Sequence, residues 1–271
     1  MDCRADPAGG SQRRMNGPEA IAFILSTGRT GTKTLAEGLA GDDIKSPHQP
    51  PFSRLLTVAG NYHLHGWLSL TALEWLVARL REPQIARAGC RYYVQVFSLD
   101  YWPAKILRQK YANVSIIHLV RDPRTFVPSY LNWTRTRRRS FIANRLVLGW
   151  HPSGYFCGRF SWREWRRLDE FQRVCWHWTF KNGLVEQLFA GDARYRRIRF
   201  ENLFGERNVA LLKETLAFAG IPFRPHHAAL LKQEKNLSRK TYCPPWDALP
   251  AARQAQLYRL CGARMQVYGY T

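Results

Sequence analysis

The sequence predicts one α/β domain built on a central, mainly parallel sheet flanked by helices. Short apolar runs alternate with longer stretches of helical periodicity, and two of those runs empty into a turn followed directly by a helix. A length of 271 residues with 45% hydrophobic side chains supports one full core.

Residues 1–19 are polar and carry Gly and Pro, so they are expected to be a flexible leader, with the domain occupying 20–271. The first strand is "IAFIL" at 21–25, followed by a turn holding Gly28 and Gly31 and a helix from about Thr32. Leu73, Leu76, Val77 and Leu80 mark the buried face of a later helix. "YYVQVF" at 92–97 and "VSIIHLV" at 114–120 are the next strands. A helix follows the latter, and Pro128 fits it only if the helix begins near Thr125, which leaves proline in the first turn. Residues 134–170 form an Arg- and aromatic-rich excursion, part of which is expected to pack or to close over something anionic. Phe171, Val174, Trp178, Val185 and Leu188 then mark a long helix, and "YRRIRF" at 195–200 a last strand.

A formal net charge of +21 calls for anionic partners without choosing among them. Six scattered cysteines have neither C-x-x-C nor zinc spacing, which suggests reduced thiols rather than disulfides or a metal site. With no apolar stretch of spanning length, the expected setting is soluble and cytoplasmic.

The stretch "AFILSTGRTGTKTLAEGL" approaches a nucleotide-binding Walker loop and fails it twice. Thr32 separates Gly31 from Lys33, and Ser26 stands where the first glycine belongs. The physics survives: a Gly-rich turn feeding a helix presents backbone N–H groups to an anion, with Thr30, Thr32 and Thr34 as hydroxyl donors and the charge of Arg29 inside the turn. A second anion site is legible in "VSIIHLVRDPRTFVPSYLNW". Arg121 ends the strand, and Ser129 lies eight residues on, about two helical turns. Asp122 with Arg124 reads as a local turn and cap, since Asp before Pro123 is a good helix start.

These motifs resemble the sulfotransferase family that uses 3'-phosphoadenosine-5'-phosphosulfate (PAPS). "GRTGTKTL" is similar to its 5'-phosphosulfate loop and "IIHLVRDPRTFVPSY" to its 3'-phosphate site. "IRFENL", "WTFKNGLVE", "SRKTYCPPWDALP" and "CGARMQVYGY" extend the likeness from about residue 20 to the C-terminus.

The resemblance implies that Arg29, Thr30, Gly31, Thr32, Lys33 and Thr34 cradle the 5'-phosphosulfate, with Arg29 as the catalytic cation. It implies that Arg121 and Ser129 hold the 3'-phosphate, that Phe200 contacts adenine, and that Arg239 and Lys240 close over the nucleotide. The activity implied is transfer of a sulfuryl group to an acceptor hydroxyl or amine without a metal. The basic excursion hints at an anionic or glycan acceptor.

His48 is the expected general base, with Lys45 as a partner for the transferring group and His63 and His65 as rivals whose spacing suits one side of an extended segment. Gln95 and Ser98, at the other position that family members use, are not competent bases. Two further functions compete. One is a P-loop kinase or NTPase with Asp122 on magnesium; the other is a nucleic-acid-binding protein using the Arg-rich excursion.

Overall fold

A computed structural model of the chain describes residues 13–136, 149–232 and 241–270. The elements run β1 (Ala20–Ser26), α1 (Thr32–Leu39), β2 (Ile44–Lys45), α2 (Ser53–Leu64), α3 (Leu70–Leu80), α4 (Glu82–Ala86), β3 (Tyr92–Val96), α5 (Tyr101–Lys110), β4 (Val114–Val120) and α6 (Pro123–Thr136). After them come α7 (Trp162–Arg167), α8 (Glu170–Leu188), β5 (Tyr195–Arg199), α9 (Val209–Phe218) and α10 (Ala251–Val267).

β1 lies at the centre because both its faces are apolar. Ile21, Phe23 and Leu25 join the core beneath α2, α3 and α5, while Ala22 and Ile24 join the core beneath α1 and α9. The five-stranded sheet has the order β2-β3-β1-β4-β5, and every pairing is parallel. β3 and β4 therefore flank β1 on opposite sides, and the crevice of such a sheet opens at the carboxyl ends of these strands. A third cluster unites α6, α8 and α10 through Phe126, Leu131, Val174, Trp178, Leu257 and Met265.

The four strands read from sequence are present, and β2 adds a short edge too brief to carry a periodic signal. Three expectations need correction. The supposed leader is partly anchored: Met15 is buried, its N–H donates to Asn113 Oδ1 at 3.1 Å, and Asn113 Nδ2 donates to the carbonyl of Pro18 at 3.0 Å. Helix α6 starts at Pro123 rather than near Thr125, so Pro128 sits inside it and forgoes one helical hydrogen bond. His63 belongs to α2 and His65 caps its end, so the pair does not share an extended segment.

The excursion packs in part. Ser161 and Glu164 form a capping box that starts α7, and Trp165 lies edge-on to Trp176 at 5.0 Å. At the far edge of the sheet, Arg196 pairs with Glu214 at 3.2 Å, Arg197 pairs with Glu186, and Arg199 donates to the carbonyl of Gly269 at 3.1 Å. The five described cysteines are free thiols. Among the described residues no helix is long and apolar enough to cross a membrane.

Candidate functional site

The turn between β1 and α1 consists largely of left-handed backbone. Gly28, Arg29 and Gly31 have φ of 93°, 55° and 69°. Alternation of such residues aims successive N–H groups into one concavity. Ser26 Oγ organises the inner wall, accepting from Gly28 N at 3.1 Å and from Thr30 Oγ1 at 2.8 Å. Gly31 is the N-cap of α1, makes no side-chain cap, and is followed by no acidic residue in the first turn. The positive helix end is thus left for an anion. A side chain at Gly31 is barred twice, by its φ and because a Cβ would stand 2.9 Å from Phe204 Cζ.

The turn after β4 supplies side chains. Arg29 Nε donates to Ser129 Oγ at 3.1 Å. Arg121 donates through NH1 to the carbonyl of Arg29 and through Nε to Thr125 Oγ1 at 3.0 Å. Its guanidinium lies over the Phe200 ring, 4.7 Å from the centroid, and Phe200 stacks on Phe204 at 4.9 Å. Burial pulls the Arg121 pKa down while Glu201 and Asp122 oppose the shift. Behind it, Trp178 Nε1 donates to the Arg121 carbonyl at 2.8 Å. Glu201 accepts from Asp122 N at 2.9 Å and from the hydroxyl of Tyr270 at 2.8 Å, so the chain's last turn buttresses the site. Asp122 caps α6 through Arg124 N at 2.8 Å and pairs with the Arg124 guanidinium at 2.7 Å. That is the local turn and cap expected of it.

On the opposite flank, the chain after β2 runs beside the end of β3, where Val96 N donates to the carbonyl of Pro47 at 3.1 Å. This carries His48 to the carboxyl edge, where its Nε2 lies 3.2 Å from Thr32 Oγ1. Burial, then the charge of Lys33, lowers the His48 pKa, and Glu37 opposes them. The imidazole is therefore neutral at pH 7.

Arg29, Gly31, Thr32, His48, Arg121, Ser129 and Phe200 thus come together. Other expected residues do not. Lys33 points outward and pairs with Glu37 at 3.6 Å. The Thr30 hydroxyl is committed to Ser26, and Thr34 is buried on the inner side of α1. Lys45 donates to the carbonyl of Ala88 at 3.4 Å, in the loop that enters β3, far from the carboxyl edge. His63 is hydrogen-bonded to the Leu68 carbonyl at 2.9 Å, and His65 Nε2 accepts from Ser153 N at 3.0 Å. Gln95 is buried and donates to Asp100. Arg239 and Lys240 lie outside the described residues. Sequence reading missed Thr125, although its spacing from Arg121 is one helical turn, and Tyr270.

Fold and site together define an α/β protein with an anion cradle at the carboxyl edge of a parallel sheet. Comparison with solved structures makes this specific. The sulfotransferase domain from the curacin biosynthetic pathway is similar at 19% identity over 93% of this chain and 98% of that one, with a TM-score of 0.53. The sulfotransferase domain of the Synechococcus PCC 7002 olefin synthase is 18% identical over 93% and 98%, with a TM-score of 0.47. Mouse sulfotransferase SULT7A1, complexed with PAP, is 17% identical over 93% and 86%, with a TM-score of 0.49. No family model matches the chain, and no curated protein matches it. The chain has the sulfotransferase fold.

Proposed function

We propose that this protein is a PAPS-dependent sulfotransferase acting on a hydroxyl or amine. The observation that carries the reading is the contact of Arg29 Nε with Ser129 Oγ, 3.1 Å, which joins the two anion sites that one bisphosphorylated nucleotide requires. The uncapped end of α1 and the cation at Arg121 fit a ligand with phosphate at both ends.

PAPS supplies the sulfuryl group when bound. Arg29 stabilises negative charge as it develops on the bridging oxygen, an effect worth about 10²–10³ in rate for a single well-placed donor. Backbone N–H groups of residues 29–32 bind the 5' end; Arg121 and Ser129 hold the 3'-phosphate, and Phe200 offers a face to the adenine. In this reading His48 takes the acceptor's proton, supported by its neutral imidazole and its position beside Thr32. A glycan or other anionic acceptor and a cytoplasmic setting accompany this reading, on the strength of the +21 charge and the free thiols.

Calorimetric titration with 3',5'-phosphoadenosine, 5'-AMP and magnesium ATP tests the proposal. Selective, magnesium-independent binding of the bisphosphate is expected. Preference for magnesium ATP would replace the reading with phosphoryl transfer, although Asp122, the metal ligand that reading needs, is occupied by Arg124.

A further inference from the structure

Residues 149–153 form a strap between α2 and α8. Asn61 Nδ2 of α2 donates to the Gly149 carbonyl at 2.6 Å, and His177 of α8 lies with Nε2 3.0 Å from the Pro152 carbonyl. His151 sits in this strap. Its Nδ1 is 2.9 Å from Lys181 Nζ on α8, and its Nε2 is 2.9 Å from the hydroxyl of Tyr130 on α6. Three side chains from three separate segments therefore form one hydrogen-bonded line.

Both ends of the line stand on helices that carry site residues. Tyr130 follows Ser129, the partner of Arg29, and Lys181 lies one turn along α8 from Trp178, which holds the Arg121 carbonyl. Lys181 is buried, 4% exposed, and has no ion-pair partner among the described residues. Such an amine is expensive to keep charged. Among the described residues, the groups facing this line are His177 from α8, with Arg173 beyond it, and Tyr130 from α6. All of them are neutral or cationic, so none favours an ammonium. Burial pushes Lys181 down to about 7, and burial followed by the neighbouring Lys181 holds His151 well below its usual range.

We infer that Tyr130, His151 and Lys181 are a proton relay, with Tyr130 meeting the acceptor and the Lys181 amine storing the proton. The inference rests on the proposed sulfuryl transfer and adds a proton acceptor separate from His48. The acceptor O–H bond breaks as its oxygen pair forms the new bond to sulfur. Tyr130 Oη takes the released proton and passes its own to His151 Nε2. His151 gives its Nδ1 proton to Lys181, which ends as ammonium, and the imidazole ends in its other tautomer. No external oxidant or reductant is needed. Tyr130 is the catalytic residue, and His151 and Lys181 are positioning residues.

The two proton acceptors predict different pH profiles. A neutral Lys181 is the competent form, so a rate governed by the relay rises with pH through about 7. A rate governed by His48 alone rises below 6.5, since its pKa is lowered.

The test uses the full chain in two measurements. The first is NMR titration of ¹⁵N-labelled histidine and ¹³C-labelled lysine, assigned with Lys181→Met and His151→Gln. A transition of Lys181 near pH 7 is expected, with the His151 ring nitrogens exchanging tautomer in step with it. Titration of Lys181 near its ordinary value of 10.5 would overturn the relay.

The second is the pH–rate profile of PAPS hydrolysis, with water in the acceptor's place. Tyr130→Phe is expected to lower the maximal rate about 100-fold and to abolish the limb near 7, with affinity for 3',5'-phosphoadenosine unchanged. An unaltered limb in Tyr130→Phe, or its loss in His48→Ala only, would overturn the relay and leave the sulfotransferase reading standing. Failure of the unsubstituted protein to bind 3',5'-phosphoadenosine would overturn that reading itself, whatever the NMR titration gives.

Discussion

Two strand-to-helix turns stand side by side at the carboxyl edge of the sheet, and they solve the helix N-terminus in opposite ways. The turn before α6 is closed on itself: Asp122 caps Arg124 N, Pro123 occupies the first helical position where no N–H is needed, and Arg124 neutralises the carboxylate. The turn before α1 leaves its N-terminus open, with a glycine as N-cap and no acid in the first turn. The same supersecondary unit becomes an anion receptacle where the cap is withheld and a rigid mount for side chains where it is supplied. Arg121 and Ser129 need such a mount, because their use depends on where two side chains point.

The largest effect expected from disturbing this contrast is chemical. Arg29→Gln keeps a polar side chain at a left-handed position but removes the guanidinium charge and its bond to Ser129, so sulfuryl transfer should fall about 10²–10³-fold while thermal stability changes little. Retention of wild-type turnover would remove Arg29 from the reaction. Next, Arg121→Ala should weaken 3',5'-phosphoadenosine by about 1.5–3 kcal/mol, read by calorimetry, with much less loss for 5'-AMP, which lacks the 3'-phosphate. Equal losses for both nucleotides would mean that Arg121 acts by supporting the Arg29 carbonyl.

Gly31→Ala sharpens the comparison from the open side. Its φ of 69° and the approach to Phe204 should lower stability by about 1–3 kcal/mol in denaturant unfolding, and the displaced backbone should weaken the bisphosphate. Asp122→Ala is the counterpart on the closed side, costing about 1 kcal/mol through loss of the α6 cap. The closed turn would lose its distinction as a mount if that change also abolished nucleotide binding.

Both turns were legible in the sequence because their chemistry is local. Glycines at 28 and 31, an arginine at a strand end, Asp-Pro and a serine two helical turns on all announce themselves within short windows. The strands were readable for the same reason: β1 beyond Ala20 and the whole of β4 are buried, and near-continuous apolar runs signal that directly. What failed was local inference about distant partners. Lys33 and Lys45 are near the loop in sequence, yet one faces solvent beside Glu37 and the other turns back to Ala88, since helix and strand geometry fix where their stems leave the backbone. The meeting of Lys181, His151 and Tyr130 spans separations of 30 and 21 residues with no motif to mark it. It is created by the docking of α8 against α6 and by the strap between helices.

The arginines of β5 have a consequence for the protein in concentrated solution. A parallel sheet ends in two strands whose outer backbone groups could template a further strand from a second molecule. Here β2 is only two residues long and carries Lys45, while β5 sets Arg196, Arg197 and Arg199 along the opposite rim, each tethered to the surrounding helices or the C-terminal turn. An approaching copy would confront a brief hydrogen-bonding ladder on one side and like charge on the other. The features that frame the sheet thereby also discourage its growth into cross-molecular ribbons.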